Sequence, residues 1–113
     1  MVKRKTRHQI QGRTGPYYSL GVVKGLVKNG DVRILNKPRK SADKDFGWDS
    51  ADILDALMKL QLKHFYKPEL SNFEPHFPID VYKARGLKGE NVYTHFYIDN
   101  ETNLLVVQSF KEI

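Results

Sequence analysis

The stretch FPIDVYKARGLKGENVYTHFYIDNETNLLVVQSFKE, residues 77–112, decides how the chain folds. Three segments in it alternate, Phe77 to Arg85, Asn91 to Asp99 and Leu104 to Glu112, and turn-forming residues separate them at Gly86 to Gly89 and Asn100 to Asn103. Successive side chains of a strand point to opposite faces, so period-two alternation broken by Gly and Asn clusters predicts an antiparallel meander. In the middle segment Val92, Thr94, Phe96 and Ile98 take one face, and Tyr93, His95, Tyr97 and Asp99 the other. The first face is apolar and calls for a cover of helices; the second is polar and aromatic.

Upstream of this stretch the period lengthens. Ser19 is a suitable N-cap, Val22, Val23, Leu26 and Val27 share a helical face, and Asn29-Gly30 supplies a left-handed stop, which predicts a helix over residues 20–29 with Lys24 and Lys28 in solvent. Val32 to Leu35 reads as a short strand, ended by a basic loop at Asn36 to Lys40 that could touch phosphate. A short helical turn ends at Gly47. Asp49 or Ser50 then caps a helix that presents Ile53, Leu54, Leu57 and Leu60 inward and Asp52, Asp55 and Lys59 to water. A brief helical segment from Lys63 to Lys67 must stop at Pro68, leaving Lys67 at an element end from which it can reach into a cleft. The fold class expected is α+β: an antiparallel sheet made of the C-terminal three-strand meander plus an N-terminal strand, with helices packed on one face.

At 113 residues and 40% hydrophobic content the chain suits one compact core. Residues 1–15 hold five basic residues and no acid and read as a flexible basic arm; residues 16–113 read as a single domain. There is no cysteine, and His8, His64, His76 and His95 are scattered, so no metal centre and no cofactor are expected and a reducing compartment fits. With apolar runs only a few residues long, neither a membrane span nor a secretory signal is expected, which places the chain in the cytoplasm. Residues 1–40 carry eleven Lys or Arg against one acid, +10, and residues 41–113 carry eight against twelve, −4. A basic block of this kind suits a polyanionic partner, because Lys and Arg displace counterions from a phosphate backbone.

Cleaving RNA without a metal requires the ribose 2′-hydroxyl to lose a proton and attack phosphorus, the 5′-oxygen to gain one, and cations to hold the added charge. The polar sheet face offers such groups by parity: Lys83 and Arg85 on one strand, Tyr93 and His95 on the next and Lys111 on the last, with Lys67 entering from the helix end. Tyr66 and the other aromatics can stack a splayed base. Each residue alone has a duller explanation, since exposed cations keep strand edges soluble and aromatics fill strands. Gly-rich phosphate loops and the G-x-S-x-G and H-E-x-x-H motifs are absent. The Asp49, Asp52 and Asp55 spacing suits a solvated, dipole-favourable helix start better than a metal face.

The ordered set Phe65-Tyr66-Lys67, Asp80-Val81-Tyr82, Val92-Tyr93 and Ser109-Phe110-Lys111-Glu112, with Leu26-Val27-Lys28-Asn29-Gly30 and Val32-Arg33 before it, resembles the MqsR family of toxins. The resemblance runs from about Ser19 to the C-terminus. It implies a RelE-like domain acting as a sequence-selective endoribonuclease, an mRNA interferase that cleaves messenger RNA at short GC-containing motifs. It also implies silencing by a cognate MqsA-like antitoxin that binds zinc and DNA, so that operator DNA is met only through the antitoxin complex. Carried over, the family's functional residues fall on Lys67, Tyr93 and Lys111, expected to be catalytic; Tyr66, Lys83, Arg85 and His95, from the reading of the polar sheet face, are the expected RNA-binding set. Two departures stand out: Ile79 occupies the place of a glutamine before Asp-Val-Tyr, and Lys83 that of an arginine after it, which keeps the charge but not the bidentate fork. His95 or His76 is then a candidate for a proton-transfer or base-contact role. A non-catalytic nucleic-acid-binding module and a degenerate toxin acting only through its antitoxin are the alternatives.

Overall fold

The computed structural model describes residues 15–113; the expected basic arm lies, but for Gly15, outside the described residues. The element order is α1 (Leu20–Asn29), β1 (Val32–Ile34), α2 (Asn36–Phe46), α3 (Ser50–Met58), a 3-10 turn (Leu62–His64), β2 (Phe65–Leu70), β3 (Pro78–Leu87), β4 (Glu90–Ile98) and β5 (Leu105–Glu112). The strands form one five-stranded sheet in the order β1-β5-β4-β3-β2. The α+β class with a RelE-like arrangement holds, and the meander is β3-β4-β5.

Local chemistry accounts for the helix ends. The Ser19 hydroxyl accepts from the Val22 N–H, and Gly30 closes α1 in the left-handed region at φ 81°, donating to the carbonyls of Leu26 and Val27. Asp49 and Asp52 form a reciprocal capping box at the start of α3. The core lies between the sheet and the helices. Val23 and Val27 from α1, Ala42 from α2 and Ile53, Ala56 and Leu57 from α3 pack onto Tyr82, Val92, Phe96, Val107 and Phe110. Val22, expected inside, is 55% exposed.

Three expectations need correction. Asn36 to Lys40 is no loop but the first turns of α2: Pro38 sits where a helix N–H has no intrahelical acceptor, and Pro38 and Ala42, four apart, are both buried. Lys63 to Lys67 is not a helix running up to the proline. The 3-10 turn ends at His64, and Lys67 and Pro68 lie inside β2, where proline is tolerated because β2 is an edge strand. The sheet is mixed, since β1 pairs parallel to β5 with Val32 opposite Leu105. Asp52 and Asp55 face water as expected, and both also hold Lys88 of the β3–β4 turn, at 3.5 and 3.2 Å, while that ammonium sits 4.9 Å from the centre of the Trp48 ring.

The first described residues are tied to the sheet. Buried Asp80 accepts hydrogen bonds from the backbone N–H groups of Tyr17 and Tyr18, each at 2.8 Å, and the Tyr18 hydroxyl donates to the Pro78 carbonyl. Asp80 thus points to the core side of β3, and Ile79, Val81 and Lys83 to the face that no helix covers.

Candidate active site

The register of the sheet assembles the uncovered face. Lys83 is opposite Tyr93, and Tyr93 is opposite Lys111, so a cation flanks the phenol on either side across three strands. One row away Lys67 is opposite Val81, Val81 opposite His95, and His95 opposite Ser109. Neighbouring strands are about 4.8 Å apart, so the residues of a row are lateral neighbours whose side chains can meet.

A bulge at Tyr66 makes this possible on β2. Phe65 packs its ring on Tyr82 in the core, the extra residue Tyr66 swings outward, and Lys67 resumes the ladder on the open face. Tyr66 becomes an aromatic platform with the Lys83 Nζ 4.0 Å and the Lys67 Nζ 5.5 Å from its ring centre. Lys111 lies over the Tyr93 ring at 5.2 Å. Lys67 is also 3.8 Å from Glu69, too long for a hydrogen bond, so it is a loosely held cation.

At the centre the Tyr93 hydroxyl and His95 Nδ1 are 3.1 Å apart. Burial pushes the Tyr93 phenol above its usual range, with the Glu69 carboxylate and then Tyr66 adding to the effect. Burial, then the Lys111 and Lys37 cations, pulls His95 down to about 4. At neutral pH the pair is therefore a protonated phenol beside a neutral imidazole. Lys37, from the first turn of α2, belongs to the electrostatic surroundings of this site; its basic segment read as a phosphate contact, but its place beside His95 depends on the helix that the segment forms.

Beside the pair a cleft of about 270 Å³ is lined by Tyr93, His95, Glu69, Ile79, Phe73 and Gln108, among others. A second bulge, on β5 between the partners of His95 and Phe96, inserts Gln108 as an extra residue and turns it into this cleft. Nothing in the alternation of residues 104–112 singles Gln108 out. Arg85, in contrast, falls where β3 slips register against β4 between Ala84 and Leu87, so it is exposed on the strand without a ladder partner beside Tyr93. His76 stays apart, its ring engaged 2.7 Å from the Ser71 carbonyl and 2.6 Å from Glu74 in the β2–β3 loop.

Among the described residues no helix is long and apolar enough to cross a membrane. No individual curated protein matches the chain. A family model described as "Motility quorum-sensing regulator, toxin of MqsA" matches residues 15–112. That span takes in every strand of the sheet and every residue of the basic face, and on this match the chain belongs to the MqsR family, the toxin half of toxin–antitoxin pairs.

Proposed function

We propose that this toxin is a metal-independent endoribonuclease that cleaves messenger RNA on the open face of its sheet. The observation that carries the reading is the cross-strand set Lys83, Tyr93 and Lys111, with a neutral His95 in hydrogen-bond range of the phenol. Lys67 and Lys111 bracket the scissile phosphate and offset the charge that builds as the 2′-oxygen bonds to phosphorus. The 2′-hydroxyl passes its proton toward Tyr93, whose own phenolic proton moves to His95 Nδ1 in the Nε2–H tautomer. As the bond from phosphorus to the 5′-oxygen breaks, a lysine ammonium donates the proton that the leaving oxygen takes up, which leaves a cyclic phosphate and a 5′-hydroxyl. Lys83, held over the Tyr66 ring, steadies the neighbouring phosphate, and Tyr66 gives an adjacent base a surface to stack on. Arg85 extends the cationic track toward the β3–β4 turn.

Cleavage is selective for a short GC-containing motif and acts in the cytoplasm. A cognate MqsA-like antitoxin, zinc-binding and DNA-binding, neutralises the toxin by presenting an acidic surface to its basic half; operator DNA is reached only through that complex.

The test is cleavage of mixed-sequence RNA in EDTA by the wild type, Lys67→Ala, Tyr93→Phe and Lys111→Ala, with the ends mapped by primer extension. Cuts at a shared short motif that fade in folded variants support the reading. Intact RNA with folded wild-type protein refutes it and leaves a toxin that works by binding alone.

A further inference from the structure

We infer that the cleft beside the catalytic pair is a subsite for a single nucleobase carrying an exocyclic amino group, read by Gln108 and Glu69 and stacked by Phe73. The inference rests on the nuclease reading for the position of the phosphate, but its residues are others. The size, the position and the lining of the cleft converge. The cleft measures about 270 Å³, just below the ~300 Å³ at which pockets for drug-sized molecules begin, so it suits one planar ring system and not several. Its wall at Tyr93 and His95 is the site itself, so a base seated there flanks the scissile bond.

The Gln108 side chain lines the cleft, yet its Oε1 is buried with no hydrogen-bond partner among the described residues. Buried amide oxygens are nearly always satisfied, so an orphan on a residue that lines a cleft is suited to recognition there. A half-turn about its last bond presents either a donor or an acceptor to a base edge. Across the cleft Glu69 offers a carboxylate whose ion-pair partner among the described residues, Lys67, is 3.8 Å away. Carboxylate oxygens are acceptors, so they favour a base edge with an exocyclic amine, as cytosine, guanine and adenine have, over that of uracil, which carries one ring N–H between two carbonyls. The remaining lining is mixed: Ser71 and Asn72 add polar groups, Leu70 and buried Ile79 are apolar, and Phe73, 70% exposed, is a large ring held in water with no core to fill. Such a ring is suited to stack on a base.

Two experiments decide the matter. In the first, RNAs identical but for the base on either side of the cut are cleaved by the wild type, Gln108→Leu and Phe73→Ala; the second variant alters an exposed side chain and keeps the test valid should the first fail to fold. The expected result is a preference at one flanking position, as a kcat/KM ratio, that falls about tenfold in the variants. Identical base preference in the wild type and both variants overturns the inference while leaving the nuclease standing. In the second, the side-chain amide signals of Gln108 are followed by NMR in the wild type as cytidine, guanosine, adenosine or uridine monophosphate is added. Shifts with the three amino-bearing nucleotides that exceed those with uridine monophosphate support the subsite even if the wild type cuts no RNA. Equal shifts with all four, or none, overturn it.

Discussion

Replacing His95 by Gln should flatten the acid side of the stability curve. Burial and the nearby Lys111 and Lys37 hold the folded His95 at about 4, against about 6.5 in an unfolded chain. Between these values the unfolded chain binds the proton that the folded one refuses, so acid favours unfolding. The contribution is fully present above about pH 6.5, declines as pH falls, and levels off below about pH 4. Over 2.5 pH units at 1.36 kcal/mol each, the ceiling is about 3.4 kcal/mol, and at pH 4.5 the loss is about 2.5 kcal/mol. Since the ring keeps some contact with water, about 2 kcal/mol is the expected figure at that pH. Urea unfolding of the wild type and His95→Gln at several pH values from 7.5 to 4.5 reads this directly. His64, also pulled down by burial, and the carboxylates titrate in both proteins and cancel in the difference. The wild type should lose about 2 kcal/mol more than the variant between pH 7.5 and 4.5. Parallel curves for the two proteins would show that His95 is not held neutral by the fold, and with that the proton acceptor assigned to Tyr93 would be lost.

Three further outcomes follow from the same geometry. Lys111→Ala should lower kcat/KM for RNA by roughly 10²- to 10³-fold and Tyr93→Phe by at least about 10²-fold, with unfolding midpoints near wild type because neither side chain fills the core; unchanged single-turnover rates would remove them from the chemistry. Asp80→Ala strips the acceptors from two backbone N–H groups bonded at 2.8 Å and should cost about 3 kcal/mol in urea unfolding, with faster amide exchange at Tyr17 and Tyr18; a loss below about 1 kcal/mol would contradict the anchoring role. Phe110→Ala, which empties a fully buried site against Phe46 and Trp48, should cost about 3–5 kcal/mol, and a near-neutral midpoint would mean that the packing of α2 on β5 is not as described.

What could be read from the chain beforehand follows from where one face is buried and the other is not. Residues 77–112 alternate because Val92, Thr94, Phe96 and Phe110 are buried while Tyr93, His95 and Lys111 are not, so the meander and the shared face of Lys83, Tyr93 and Lys111 were legible. β2 escaped notice because its bulge at Tyr66 breaks the alternation and Pro68, next to a lysine, looks like a helix stop. Of α2 only the last turn, ending at Gly47, was legible; its start was read as a loop because the helix buries only Pro38 and Ala42, leaving no apolar stripe to count. The parallel pairing of β1 rests on three residues, too few to carry a direction. Parity could place Arg85 on the right face, but only the register shows that the slip after Ala84 separates it from the Tyr93 row.

Ile79 bears on both the cleft and the chemistry. In sequence it is a departure, an apolar residue just before Asp80-Val81-Tyr82 where an amide would suit a polar site. In the sheet it lies opposite Glu69, almost fully buried, on the uncovered face. A buried amide at that position would need partners that its neighbour Val81 cannot offer. The cleft that Ile79 lines receives a strand-borne amide from β5, because the bulge there turns Gln108 inward. Replacing Ile79 by Gln therefore adds a second strand-borne amide to a small cleft that Asn72 also lines, and the double variant Ile79→Gln with Gln108→Leu moves the strand-borne amide from β5 to β3. If the amide is what reads the base, the double variant should regain base discrimination that Gln108→Leu alone has lost, at the cost of burying a new polar group on the cleft floor. If discrimination comes from shape alone, the double variant should behave as Gln108→Leu does, and the cleft would be selecting by size and stacking with no hydrogen-bond readout.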